Sequence, residues 1–340
     1  MLKTHLSKLS RSAAKALLLL VAISYQLAAQ QDTESDIATV SSYPSDTAHA
    51  WLEKMSTAVK SLNYTISFVL LRPGVDSEPY IWRHGVDENG LQMEQLNLLN
   101  GPGREVVRIG DKVSYFEPNV PPYSLQSTNI NGPFPSELFQ DPEKLISGYD
   151  FVMVGRSRIA GRAAQQIRIV SKDKSRFGLN VWLDQETGLL LKMNMFNNDA
   201  QLLEQIQVTG LAVTKEPDPF FAKIEPDMLP EIVNFNPSSQ VKPQWTINYI
   251  PIGMQIIKRD IRRLSGSRDL VEYAMLSDGL VDVSVYMQEK VNGKAISNLV
   301  GTIQSDTLLT IQHGDMNVTV IGKLPAVTAN AIAKSVQRAY

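Results

Sequence analysis

The sequence predicts a mainly β chain in two parts, a large antiparallel β-rich region followed by a smaller α+β region. Three observations carry this. After Asn63 the apolar spacing changes from near 3.6 to 2, which marks strands instead of helix. From Phe151 to Val213, apolar runs alternate with short polar turns, and short sequential connections give an antiparallel meander. Between Glu216 and Pro243 six prolines interrupt all periodicity, after which the strand pattern resumes.

In chain order, Lys3, Lys8, Arg11 and Lys15 precede and enter an apolar run, Ala13 to Ile23, and small residues follow at Ala28 and Ala29. This is the layout of a secretory signal peptide over residues 1–29, with an apolar core too short for a permanent span. Leu27 fits the cleavage site poorly, which leaves an uncleaved anchor as the alternative. Residues 30–45 read as a polar, disordered leader. A helix is expected from about Asp46, its proposed N-cap, with Trp51, Met55, Val59 and Leu62 inward.

Strands are expected at Tyr64–Leu71, Tyr80–His84 and Leu91–Leu99. Gly101 to Pro118 then reads as a hairpin, with Glu105–Ile109 and Val113–Phe116 joined by Gly110-Asp111-Lys112. Pro121 to Gly148 reads as loop with one or two short helices. The meander follows at Phe151–Arg156, Ala164–Ser171, Phe177–Leu183, Leu189–Phe196 and Leu202–Val213. A sheet this large must curl, close or be covered by helices. The expected divisions are 46–215 for the first domain, 216–243 for the linker and 244–340 for the second domain. The latter carries strands at Thr246–Tyr249, Gln255–Arg259, Leu270–Leu276, Leu280–Gln288, Leu308–Gln312 and Asn317–Ile321, with a turn at Ser277-Asp278-Gly279. Pro325 to Arg338 reads as a helix with Val327, Ile332 and Val336 inward.

The search for chemistry finds no constellation. There is no cysteine, so neither a disulfide nor a lipoprotein anchor is available. Beyond the signal segment the histidines are His49, His84 and His313, in different elements, so no metal site and no cofactor is expected. Neither a nucleophile elbow nor a phosphate loop occurs. Gly101-Pro102-Gly103 precedes a strand and reads as a turn, and Ser171-Lys172-Asp173-Lys174 matches S-x-x-K only at a polar hairpin tip. An enzyme has no residues to stand on. Removal of the four leader cations takes the formal charge from −2 to −6, which offers nothing to nucleic acid.

A binding surface remains. Ile66, Phe68, Leu70, Ile167, Ile169, Val181, Leu183, Leu191, Met193, Met195, Ile206 and Val208 are expected to share one apolar concavity. It is either a core filled by helices or partly open to acyl chains, and the adaptable thioethers suit the second reading. Trp82 and Trp182 fall on the opposite parity, at a rim or on the outer face. Arg104, Arg108, Arg156 and Arg158, with Arg162 and Arg168, would suit a phosphorylated headgroup if they gathered at the mouth.

The wording of the 101–118 hairpin, GPGREVVRIGDKVSYFEP, resembles the RseB/MucB family. So do YDFVMVGRSRIAGR at Tyr149–Arg162, NVWLDQETGLLL at Asn180–Leu191, NYIPIGM at Asn248–Met254, VEYAMLSDGL at Val271–Leu280 and VTVIGKLP at Val318–Pro325. The resemblance implies an unclosed, LolA/LolB-like half-barrel over helices, then the smaller domain. It implies a periplasmic regulator that binds an RseA/MucA-type anti-sigma factor, shields it from the first proteolytic cut and holds the envelope-stress sigma factor inactive. It also implies release by lipopolysaccharide, or another acyl-chain ligand, and partner contacts in the linker and about Gln244–Tyr340. A periplasmic lipoprotein carrier is the alternative, and homo-oligomerisation is left open. Family members with a disulfide could respond to redox conditions; this chain, which has no cysteine, cannot.

Overall fold

A computed structural model of the chain describes residues 46–233, 243–263, 270–289, 298–303 and 305–339. The expected signal segment and the whole of the expected leader lie outside them, as do residues 234–242 of the expected linker.

The described residues open with helix α1 (Ala48–Ser61), capped by Thr47 and not by Asp46: the Thr47 hydroxyl accepts the Ala50 N–H at 3.2 Å. Leu52, Met55 and Val59 are buried along one face. Leu62 leaves the helical region and the first sheet begins. Its strands are β1 (Asn63–Leu71), β2 (Glu78–Val86), β3 (Gln92–Leu98), β4 (Arg104–Ile109), β5 (Lys112–Phe116), β6 (Tyr123–Gln126), β7 (Tyr149–Ile159), β8 (Arg162–Ser171), β9 (Gly178–Asp184), β10 (Leu190–Phe196) and β11 (Leu202–Thr214). The spatial order is β6-β5-β4-β3-β2-β1-β11-β10-β9-β8-β7. Every neighbour is antiparallel, and the edges β6 and β7 do not meet. This is the unclosed sheet over helices that the resemblance implied.

Between β6 and β7 the chain makes helix α2 (Ser136–Gln140) and a 3-10 turn, Pro142–Ser147. Leu138, Phe139 and Leu145 from this insert join Leu52, Met55 and Val59 of α1 in the core against the sheet. β6 itself was not expected. It is short, and its outer edge is covered by chain that sequence pattern cannot place: Ser124 N–H donates to the Glu231 carbonyl, Val233 N–H to Ser124, and the Ser124 hydroxyl to the Pro230 carbonyl. The proline-rich segment up to Val233 is therefore laid along the first sheet. Asp218 adds to this by accepting from Thr65 and Arg83 at 3.0 and 3.1 Å.

The second sheet contains β13 (Gln255–Arg263), β14 (Leu270–Ser277), β15 (Asp282–Glu289), β16 (Leu299–Ile303), β17 (Asp306–His313) and β18 (Met316–Gly322), ordered β13-β14-β15-β18-β17-β16. Helix α3 (Ala326–Lys334) packs on it through Ala329, Ile332 and Ala333. A small ribbon pairs β12 (Trp245–Ile247) with β19 (Val336–Arg338). Here the sequence reading needs correction. The helix stops at Lys334 and Val336 is in a strand, while Val327 is 69% exposed and not inward.

Candidate functional site: a sheet groove and a junction cleft

The twelve apolar positions expected to form a concavity do share the inner face of the first sheet, and all are buried. α1 and the insert cover most of that face, so only its margins remain open. Leu70 borders a groove of about 680 Å³, and Met193 and Met195 border a cleft of about 550 Å³. Ile66, Phe68, Ile167, Ile169, Val181, Leu183, Leu191, Ile206 and Val208 are core. Trp82 belongs to that core as well, because its register places it opposite Ile66 and Leu96. Trp182 takes the other face, under the ammonium of Lys192 at 5.1 Å from its ring.

The groove runs over β1 to β6. Leu70, Leu96, Leu98, Val106 and Leu125 supply its apolar wall, with Tyr80, Tyr115 and Tyr123. Tyr115 and Tyr123 stack at 5.0 Å. Burial, with Glu78 adjacent, pushes the Tyr80 phenol up to about 12, so it remains a donor to Glu78 at 3.0 Å. Asn131, Gly132 and Pro133 form the facing wall. Two arginines reach this space: Arg104, paired to Glu117 at 2.8 Å, and Arg72, 3.5 Å from Glu78 and 2.9 Å from Glu204. The volume suits a small apolar ligand, and the mixed rim suits one that ends in a charged group.

The expected arginine cluster does not assemble. Arg108 is buried, because the β3–β4 register sets it opposite Glu94, with which it pairs at 2.5 Å. It also donates to Gly110 and Gln92. Arg156 and Arg158 are exposed on β7, at the far edge of the sheet from β4. Arg162 is held by Asp184 and Glu186, and Arg168 is exposed on β8.

The cleft lies where the two sheets meet. Ile130 to Glu137, Met193, Met195 and Glu204 line one side; Ile257, Ser277, Gly279 to Asp282, Ser284, Asp306 and Ile321 to Lys323 line the other. Two ionic clasps hold it. In the first, the fully buried Arg176 donates to the Tyr149 hydroxyl, Ser175, and the Gly148 and Ile252 carbonyls, and lies 3.2 Å from Asp278. Asp278 is itself the turn residue between β14 and β15. One of its oxygens accepts from Leu280 and Val281 N–H, and the other accepts the Tyr149 hydroxyl at 2.8 Å. Close by, a Cβ on Gly253 (φ +87°) would lie 2.8 Å from the Gly148 Cα, so only glycine permits this approach. In the second clasp, Glu204 accepts from Lys323 at 3.0 Å on both oxygens, from Ser305 at 3.2 Å and from Arg72. The sequence marks Asp278 only as a turn residue, and it does not mark Arg72, Arg176, Glu204 or Lys323 at all. Each depends on partners more than a hundred residues away, a signal that one-dimensional patterns do not carry.

Acid should weaken this junction. Burial raises the Glu204 carboxyl, but Lys323 and Arg72 outweigh it and the net direction is down. Burial also raises Asp173, yet hydrogen bonds from Ser171, Ser175 and the Ile252 N–H hold it well below the usual carboxylate range. A carboxyl depressed in the folded state adds stability that is complete above its unfolded pKa, about 4, and is lost as pH falls toward the folded value. Urea midpoints are therefore expected to fall below about pH 4, where these two carboxylates protonate. Asp173→Asn should remove part of that fall; an unchanged profile would contradict the assignment.

A family model described as the MucB/RseB N-terminal domain matches residues 47–233, and one described as the MucB/RseB C-terminal domain matches residues 239–337. The chain belongs to the MucB/RseB family. The sigma-E factor regulatory protein RseB of Salmonella typhimurium is 32% identical over 290 residues, covering 85% of this chain and 90% of its own. The sigma factor AlgU regulatory protein MucB of Pseudomonas aeruginosa is 30% identical over 295 residues, with the same two coverages. Among solved structures, the complex of Pseudomonas aeruginosa MucA/MucB matches with a TM-score of 0.70 at 26% identity, covering 86% of this chain and 99% of that one. A crystal structure of MucB matches with a TM-score of 0.53 at 25% identity, covering 86% and 98%. MucB/RseB proteins are regulatory binding proteins, so the enzyme alternative falls. Among the described residues, no helix is long and apolar enough to cross a membrane.

Proposed function

We propose that this chain is a periplasmic regulator. It binds the periplasmic segment of an RseA/MucA-type anti-sigma factor, shields it from the first proteolytic cut, and so keeps the envelope-stress sigma factor inactive. The observation that carries this reading is the pattern of whole-chain likeness. At equal coverage of this chain, similarity is higher to MucB crystallised with MucA, at TM-scores of 0.70 and 0.69, than to MucB alone at 0.53. Whole-chain likeness is thus greater to MucB in its MucA complex than to MucB alone. We assign the anti-sigma segment to the junction cleft and the expected contact region beyond Gln244, and a lipopolysaccharide acyl chain to the groove over β1–β6. Lipid releases the partner only to the extent that it favours a different arrangement of the sheets.

The test is the affinity of the mature chain, residues 30–340, for the periplasmic segment of the anti-sigma factor, with and without lipopolysaccharide. Tight binding that lipid weakens supports both assignments. Binding indifferent to lipid retains the regulator and removes the sensor. No binding, with capture of acyl chains or lipoproteins instead, favours a carrier. Leu98→Trp separates the two spaces. The half-buried Leu98 faces the groove, and an indole there should abolish lipid-induced release while leaving anti-sigma affinity unchanged. Titrating both ligands on this variant reads the difference directly.

A further inference from the structure

The groove and the cleft share a charged wall. Arg72 lines the groove, Glu204 and Lys323 line the cleft, and the three form an unbroken plus-minus-plus row: Arg72 Nε to Glu204 Oε2 at 2.9 Å, then Glu204 to Lys323 Nζ at 3.0 Å. Glu204 is 1% exposed at its side chain, so it relies on these two cations and the Ser305 hydroxyl and not on water. Arg72 is 15% exposed and open to the groove, and Lys323 belongs to the chain after β18 in the second sheet. Arg72 thus touches both spaces through one carboxylate.

We propose that Arg72, Glu204 and Lys323 form a charge relay that couples an anionic ligand in the groove to the clasp between the sheets. It rests on the assignment of the groove to an acyl-chain ligand and adds how occupancy is transmitted. The sign follows from competition. An anion entering the groove and Glu204 compete for Arg72, while Arg72 and Lys323 compete for Glu204. When the anion takes Arg72, Glu204 is left to Lys323, and the clasp tightens across the cleft. Anion in the groove and closed clasp are therefore positively coupled. A partner whose bound arrangement opens the clasp is opposed by the ligand, and one whose bound arrangement keeps it closed is favoured. Linkage makes the effect reciprocal: any change that strengthens Glu204's hold on Arg72 must weaken anion binding.

That gives opposite signs for two substitutions in the same ion pair. Glu204→Gln frees Arg72 and should tighten dodecyl phosphate by about fivefold, the low end of ordinary coupling. Lys323→Met leaves Glu204 to grip Arg72 alone and should weaken dodecyl phosphate by a similar factor, although Lys323 does not line the groove. Uncharged dodecanol should bind these two variants as it binds the wild-type chain. If dodecyl phosphate binds and both substitutions shift it in the same direction, or neither shifts it, the relay is wrong. If dodecyl phosphate does not bind the wild-type chain, the groove assignment fails instead. The relay is then judged by a ligand-free cycle in which the stability effects of Arg72→Met and Lys323→Met are combined. Non-additivity that vanishes in a Glu204→Gln background supports it; simple additivity overturns it.

Discussion

Arg176→Met is expected to destabilise the chain by about 3–5 kcal/mol, the cost of removing one member of a buried ion pair and leaving the other behind. Its guanidinium is fully buried and satisfies the Ile252 carbonyl at 2.7 Å, the Gly148 carbonyl at 3.2 Å and the 3%-exposed carboxylate of Asp278. Methionine fills much of the volume but supplies none of the donors. Two carbonyls and a charge would then be buried with fewer partners, Asp278 keeping the Tyr149 hydroxyl and the Leu280 and Val281 N–H groups but no cation. Lysine should not rescue, since a point charge cannot make the forked set of contacts that spans Tyr149, Gly148 and Ile252. Because these partners lie on both sheets, the loss should fall on the junction first. Urea unfolding followed by tryptophan emission can separate the two sheets, with Trp51, Trp82 and Trp182 in the first part and Trp245 in the second. A midpoint equal to that of the wild-type chain would remove Arg176 from the account of how the sheets are held.

The regular part of this fold was legible because alternation is a direct record of which face is buried. Tyr64, Ile66, Phe68 and Leu70 each fall on the buried face of β1, as their spacing of two requires. β6, β16 and β19 were not legible. They contain 4, 5 and 3 residues, and what makes each a strand is the neighbour it pairs with, not its own pattern. The inner face was identified correctly as a surface, but whether it is filled depends on where α1 and the insert dock, and that is a tertiary fact. Arg108 shows the same limit at one residue. On the sequence it is a strand cation like Arg104; the β3–β4 register sets it opposite Glu94 and buries it. The turn Ser277-Asp278-Gly279 was read as a hairpin, yet nothing local reveals that Asp278 also reaches Tyr149 on the other sheet.

Phe134→Ala should cost about 3 kcal/mol and impair both binding spaces at once. Phe134 is the anchor of the segment that roofs them: its ring lies 4.9 Å from Phe68, 5.0 Å from Trp82 and 5.3 Å from Phe139. Immediately before it, Asn131, Gly132 and Pro133 line the groove on one side and the cleft on the other. Gly132 approaches so closely that a Cβ there would meet Leu96 at 2.8 Å, so the wall depends on tight seating. Without the aromatic anchor the segment loses its fixed position. An acyl chain then loses one wall of the groove, and an anti-sigma segment loses part of the cleft. Both affinities should fall in Phe134→Ala and recover substantially in Phe134→Leu, which restores apolar volume. The contrast with Leu98→Trp, which blocks the groove alone, is what gives the measurement its force. Should Phe134→Ala weaken acyl-chain capture yet leave anti-sigma affinity intact, the partner does not use this wall, and its site must lie farther along the second sheet.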